Sequence, residues 1–259
     1  MANVRLHPAP TVPALDRAAD RRPAPALPIQ TAALAGATAL ALLVALYMAL
    51  VWAPTERVQG NVQRIFYFHV PSAWIAYLSF GVVLVSSVAY LWKRRLHWDM
   101  VAHSAAEIGV VFTTITLVTG SIWGRAVWGA WWTWDARLTT TLLLWFIYAG
   151  YLMLRAYVGD RARAARYCAV LGIIGFVDVP IVHMSVRWWR TLHPQPVVVR
   201  PEAGPALPPS MLATLLVALV AFTLLFVLLL IVRVRIEGVR EAAAELRDTL
   251  GARQARTSG

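Results

Sequence analysis

The chain has 259 residues, of which 59% are hydrophobic and only 14% are charged, and it contains 12 tryptophans. This leaves too little polar surface to cover a water-soluble domain of this size, so the composition excludes an ordinary soluble protein and predicts an integral membrane protein. The net charge of +11 is weak evidence for a nucleic-acid partner, because membrane proteins concentrate Lys and Arg in their cytoplasmic loops.

Six apolar segments are long enough to cross a hydrocarbon layer of about 30 Å as helices. They predict an all-α membrane protein with six transmembrane helices near residues 31–53, 72–92, 101–123, 138–154, 167–186 and 210–232. The third and fifth segments match less well, because they contain Glu107 and Asp178. Residues 1–30 are proline-rich, lack the apolar centre of a signal peptide and predict a disordered cytoplasmic tail; residues 233–259 predict a charged cytoplasmic tail with a short helix.

The distribution of basic residues predicts the orientation of these helices. Most of the 24 Lys and Arg residues fall in the N-terminal tail, in the connections after the second and fourth segments, and in the C-terminal tail. Because cytoplasmic loops are enriched in Lys and Arg, both termini are expected in the cytoplasm. The connections 54–71, 124–137 and 187–209 then lie on the outer side, where we expect the functional chemistry.

The connection 124–137 contains an unusual density of tryptophan, at Trp128, Trp131, Trp132 and Trp134. A single interfacial Trp usually belongs to an aromatic belt, but the first three are spaced to share one helical face and predict a broad interfacial platform. Asp135 is expected to be the N-cap of the fourth helix. Arg125 and Arg137 fit two roles equally well, as anchors in lipid headgroups or as partners of an anionic ligand.

Two histidines are predicted to flank this platform. Val70 precedes Pro71 and is expected to be extended, which places His69 on a constrained connection before the second helix. His183 lies roughly 24 Å along the fifth segment at 1.5 Å per residue, and therefore near the outer surface. Alone, each is more typical of an interfacial histidine than of a metal ligand, but two at one depth favour a shared ligand. Haem fits, since indoles contact the macrocycle, imidazole binds iron and arginine pairs with propionates.

Three segments resemble a known family. The run WGAWWTWDARLT resembles the tryptophan-rich WWD signature of membrane haem-handling proteins in cytochrome c maturation. RIFYFHVPSAW and VPIVHMSVRWWRTLH are similar to the two histidine-bearing segments of the System I haem exporter protein C (CcmC) family. The resemblance is close over about residues 55–195 and extends in layout to 31–232. The sequence departs from the family pattern in its proline-rich N-terminal tail and at Pro194, where Gln is expected after His193.

The resemblance implies that residues 31–232 form a six-helix domain of the bacterial inner membrane that binds haem b as a transported ligand. It implies that His69 and His183 are the axial ligands of the iron on the periplasmic side. The remaining haem contacts would come from the WWD loop, 124–137, through Trp128, Trp131, Trp132, Trp134, Asp135, Arg125 and Arg137.

The resemblance also implies partners and no turnover chemistry. Haem would be presented to a membrane-anchored periplasmic haem chaperone, for which Asp135 and Arg137 offer a charged docking rim. The complex would include the ATP-binding and membrane subunits of an ABC transporter and a small single-span subunit. Because the chain has no Walker loop, a partner would have to handle ATP. Its single cysteine, Cys168, and the lack of a C-x-x-C-H motif exclude a c-type cytochrome.

Two other classes remain open from the residues alone. A b-type cytochrome subunit linked to quinone would also place histidines in a helical bundle, although commonly on facing helices inside the membrane. A permease subunit would use Glu107 and Asp178 as substrate or proton-path groups, because intramembrane acids default to function. A structural role for Asp178 is equally consistent, since nearby Pro180 frees backbone groups that polar neighbours satisfy.

Overall fold

A computed structural model describes residues 28–193 and 207–257 of the chain. Within these ranges the fold is entirely helical, without a β-strand. A π-helical turn at Met48–Trp52 extends the first helix, and a 3-10 turn at Asn61–Ile65 leads into the second. The seven α-helices are α1 (Ile29–Tyr47), α2 (Phe66–Lys93), α3 (Leu96–Trp128), α4 (Ala136–Tyr157), α5 (Arg161–Phe176), α6 (Asp178–Trp188) and α7 (Pro209–Thr257).

Six helical segments are long and apolar enough to cross a membrane, which confirms the all-α class and the predicted number of spans. Among the described residues they are Ile29–Trp52, Asn61–Lys93, Leu96–Trp128, Ala136–Tyr157, Arg161–Trp188 and Pro209–Gly251. The third and fifth predicted segments therefore also match candidate spans, although they contain Glu107 and Asp178. The predicted disordered tail lies, up to residue 27, outside the described residues. The predicted short C-terminal helix is instead a continuation of the sixth span, because α7 runs unbroken to Thr257.

The centre of the bundle is the α2–α3 pair, against which α4, α5 and α7 pack. Phe80 of α2 stacks on Tyr148 of α4 with ring centroids 3.7 Å apart. The close approach of α2 and α3 depends on Gly109, since a Cβ there would lie 2.5 Å from Cε1 of Phe80. In membranes such small residues allow helix backbones to approach and gain van der Waals contact. α1 packs on α7 at the edge of the bundle.

Ion pairs join the helices toward the end where α3 begins. Arg155 of α4 donates to Asp99 of α3 at 2.7 Å. Glu107 of α3 accepts from Arg233 of α7, with Nε 2.7 Å from the carboxylate. Arg235 donates to the hydroxyl of Thr31 on α1 at 2.9 Å. Because a charge inside the membrane is costly unless it is paired, these contacts explain how Glu107 is tolerated within a span.

The start of α2 differs from the sequence-based prediction. Residues 66–71 are helical, so the prediction that Val70 is extended and that His69 lies on a connection before the second helix is wrong. Phe66 and Tyr67 are buried against the end of α1 and the start of α7, and Pro71 is also buried. This packing outweighs the preference of a residue before proline for an extended backbone. A proline inside a helix, such as Pro71 here, is tolerated in transmembrane helices.

The fifth span is broken at Val177, between α5 and α6. Pro180 has no N–H with which to continue the hydrogen-bond ladder across the break. Asp178 opens α6, is only 6% exposed, and its Oδ2 has no hydrogen-bond partner among the described residues. His183 lies in α6, on the C-terminal side of this break.

Candidate functional site

Two adjoining cavities lie at the end of the bundle where α3 ends and α4 begins. The smaller has a volume of about 220 Å³ and is lined mainly by α2, α3 and α4. The larger, about 1330 Å³, extends between α2, α6 and the first turns of α7. Seven residues line both cavities and form what we call the shared wall: Gln59, His69, Ala73, Tyr77, Trp123, Arg137 and His193.

His69 stands on the shared wall in the first turns of α2. Its Nδ1 lies 3.0 Å from Oγ1 of Thr119 on α3. Trp123, one turn further along α3, contacts the imidazole edge-on with ring centroids 5.8 Å apart. Because His69 belongs to a helix rather than to a connecting loop, its position is set by the packing of α2 on α3.

The tryptophan-rich segment is not one helical platform. α3 ends at Trp128, and Gly129 follows with φ of 77°, a left-handed conformation that favours glycine as a helix C-cap. Arg125 donates to the Gly129 carbonyl and lines neither cavity. The prediction that Trp128, Trp131 and Trp132 share a helical face is therefore wrong.

The four tryptophans instead divide into two pairs. Trp128 and Trp132 line the smaller cavity. Trp131 and Trp134 are 60% and 76% exposed and line neither cavity. Only one pair is thus placed to contact a ligand inside, and the other pair is available at the surface.

Asp135 and Arg137 have separate structural contacts at the start of α4. Asp135 accepts from the backbone N–H of Leu138 at 3.0 Å, which confirms the predicted N-cap. Arg137 donates to the backbone carbonyl of His183 at 2.9 Å and so links α4 to α6. The Nε of Arg137 and the Nε1 of Trp132 are buried and lack hydrogen-bond partners among the described residues. Both residues line the smaller cavity, and an acceptor on a bound ligand would satisfy such buried donors.

His183 and His193 differ in which of the two cavities they line. His183 is exposed and lines only the larger cavity, while its carbonyl is held by Arg137. His193 lines both cavities, and its backbone N–H donates to the Thr191 hydroxyl at 3.1 Å. The structure thus brings His193 and His69 to the same wall, a grouping that the sequence-based choice of His69 with His183 did not contain.

The connection 54–60 covers one side of the shared wall. The Glu56 carboxylate accepts from the backbone N–H groups of Gln59 and Val58, and the first of these bonds contributes most to holding the pKa of Glu56 below its usual value. Gln59 in turn accepts from Nε1 of Trp123 at 2.8 Å. Arg64 donates to the Ala49 carbonyl at 2.5 Å and so fastens the end of α1 to the same region.

Sequence reasoning missed Thr119, Trp123 and Gln59 at this site. One signal was present for the α3 residues, because Thr116, Gly120 and Trp123 follow the spacing of one helical face. That face lies within the predicted third span, where the same spacing is typical of a helix-packing surface. No comparable pattern marks Gln59, whose place depends on a turn.

Fold and site together define a multi-pass α-helical membrane protein with an aromatic, histidine-bearing cavity at one end of its bundle. The chain belongs to the haem exporter protein C (CcmC) family, whose sequence profile matches residues 22–248.

The chain is similar to proteins of this description in several organisms. It is 43% identical to haem exporter protein C of Bradyrhizobium diazoefficiens over 182 residues, 70% of this chain and 68% of that protein. It is 40% identical to haem exporter protein C of Escherichia coli K12 over 174 residues, 65% of this chain and 71% of that protein. It is 41% identical to a ccmC-like mitochondrial protein of Marchantia polymorpha, named for cytochrome c biosynthesis, over 149 residues, 58% of this chain and 63% of that protein.

Proposed function

We propose that this protein binds haem b at the shared wall and presents it to a haem chaperone during cytochrome c maturation. The single observation that carries the proposal is the wall itself, which joins two imidazoles, an indole and a guanidinium beside an aromatic cavity. Imidazole nitrogens ligate haem iron, and indoles contact the apolar macrocycle. The buried N–H groups of Arg137 and Trp132, which have no hydrogen-bond partner within residues 28–193 and 207–257, suit the propionates.

His69 is proposed as one axial ligand of the iron. The sequence favoured His183 as the other, and it borders the larger cavity. His193 has the stronger geometric support, because it borders both cavities together with His69. We therefore treat His193 and His183 as competing candidates and rank His193 first.

The site is proposed to face the periplasm, with the protein in the bacterial inner membrane and both termini cytoplasmic. Support comes from the basic residues, since Lys93, Arg94 and Arg95 join α2 to α3 at the end of the bundle opposite to the cavities. Arg161 and Arg163 begin α5 at that same end. The positive-inside rule assigns such loops to the cytoplasm.

The proposed partners are the membrane-anchored haem chaperone, the ATP-binding and membrane subunits of an ABC transporter, and a small single-span subunit. Family membership supports this set. The exposed indoles of Trp131 and Trp134 offer a rim that the chaperone could contact, since aromatic side chains are enriched at protein interfaces.

The alternatives have less structural support. Glu107, which could have indicated a permease, pairs with Arg233. The candidate haem histidines lie together at one end of the bundle rather than facing each other across its centre, as an electron-transferring b-type cytochrome would commonly have them.

Replacing histidines one at a time tests the proposal. We expect His69→Ala to abolish most haem retention on purification, because an iron ligand is lost, and expect His193→Ala to do so more than His183→Ala. Haem per protein is measured by the reduced-minus-oxidised pyridine haemochrome spectrum. His97→Ala, at the opposite end of the bundle, is the matched control. Equal loss of haem in His97→Ala and His69→Ala would reject the site.

A further inference from the structure

The immediate surroundings of the His69 ring come from one face of α3. Thr119 contacts Nδ1 at 3.0 Å, and Trp123 packs edge-on against the ring. At Gly120 a Cβ would lie 3.1 Å from Cε1 of His69, so the absence of a side chain lets the imidazole lie close to the helix backbone. We call Thr119, Gly120 and Trp123 the histidine seat.

The hydrogen bonds of Thr119 determine which nitrogen of His69 carries the proton. The Thr119 Oγ1 lies 2.7 Å from the Ile115 carbonyl and 3.3 Å from the Thr116 carbonyl, and these oxygens can only accept. A hydroxyl has one hydrogen and two lone pairs. If this hydrogen pointed elsewhere, lone pairs of two oxygens would face each other at 2.7 Å. Giving the hydrogen to the Ile115 carbonyl avoids that repulsion, and toward His69 the same oxygen is then an acceptor. The contact at 3.0 Å is then a bond donated by Nδ1–H.

From this geometry we propose that Thr119 is a positioning residue that fixes His69 in the Nδ1–H tautomer and so keeps the lone pair of Nε2 free for a metal. In neutral imidazole one nitrogen is a donor and the other an acceptor. A hydrogen bond from the non-ligating nitrogen orients the ring and raises the basicity of the ligating one. This inference rests on the proposed function, because it concerns how the same histidine is prepared to bind haem iron.

Thr119→Val tests the seat, because valine keeps the shape of the side chain but cannot accept the hydrogen bond. We expect haem affinity to fall by about 10- to 100-fold, the usual effect of removing such a supporting contact. Thr119→Ser keeps the hydroxyl and should restore affinity to near the original value. Thr114→Val is the matched control, since Thr114 lies on the same helix and also donates to a backbone carbonyl four residues earlier, but it accepts from Nε1 of Trp145 rather than from His69.

A measurement without haem separates this inference from the proposed function. Nitrogen-15 NMR of ring-labelled histidine, assigned by comparison with His69→Ala, reports the tautomer of His69 in the haem-free protein. We expect Nδ1–H in the original protein and in Thr119→Ser, and a shift toward Nε2–H in Thr119→Val. An unchanged tautomer in Thr119→Val, or a Thr119→Ser variant as weak as Thr119→Val, would overturn the inference. If the original protein bound no haem while the tautomer changed as expected, the proposed function would fail and the seat would stand.

Discussion

Trp131 and Trp132 are adjacent in sequence but have different surroundings. Trp132 lines the smaller cavity and its indole N–H is buried, whereas Trp131 is 60% exposed and lines neither cavity. We predict that Trp132→Ala lowers haem content on purification, while Trp131→Ala leaves it unchanged. The haem-to-protein ratio of the two variants, with helical content from circular dichroism as a check on folding, decides the matter. Equal loss in both would show that the exposed indole also contacts haem.

Asp135 combines a capping role with a proposed docking role, and two substitutions separate them. Asp135→Ala removes the N-cap of α4 and should cost about 1 kcal/mol of stability. Asp135→Asn keeps the cap but removes the charge. If the charge docks the chaperone, Asp135→Asn will keep haem content and lose delivery, measured as covalent haem on the chaperone in the same membranes. Normal delivery by Asp135→Asn would restrict Asp135 to capping.

At the scale of single helices, the α2–α3 contact depends on the absence of a side chain at Gly109. A methyl group there would meet Phe80, which is held from the other side by Tyr148. We predict that Gly109→Ala destabilises the protein by about 1–3 kcal/mol, the usual range for overpacking a core. Gly36→Ala is the control, because a Cβ at Gly36 would meet nothing within 4 Å. Thermal unfolding in detergent should separate the two, and equal midpoints would contradict the packing argument.

The helices themselves were largely predictable from the sequence, because length and apolarity alone identify a span. Their ends were not. The helical start of α2 depends on Phe66 and Tyr67 packing against α1 and α7, and no local rule contains those distant contacts. The end of α3 does carry a sequence signal in Gly129, a residue type that often ends helices, but the spacing of the neighbouring tryptophans favours a helix that continues through it.

The candidate site was only partly predictable for the same reason. His69, Trp128, Trp132 and Arg137 were chosen from motif and depth, and they do line the cavities. Thr119 and Gln59 were missed because their relation to His69 and Trp123 joins residues 50 and 64 positions apart. Asp135 was predicted correctly as an N-cap, since capping acts over three residues.

At the scale of the whole molecule, the two ends of the bundle should be reachable from opposite sides of the membrane. Val58 is 91% exposed in the connection beside the cavities, and Gly159 is exposed in the α4–α5 connection at the other end. With buried Cys168 replaced by Ala, we predict that Val58→Cys reacts with a membrane-impermeant maleimide in intact spheroplasts. Gly159→Cys should react only after lysis, and the reverse pattern would invert the proposed orientation.

The shared wall has a consequence for how a bound molecule would leave. Because seven residues border both cavities, a molecule shifting from the smaller cavity to the larger one exchanges its contacts a few at a time. His69 borders both cavities, so such a shift would not require every contact to break at once. Departure in steps of this kind would cross several lower barriers in place of one high barrier, which makes firm binding compatible with quick transfer.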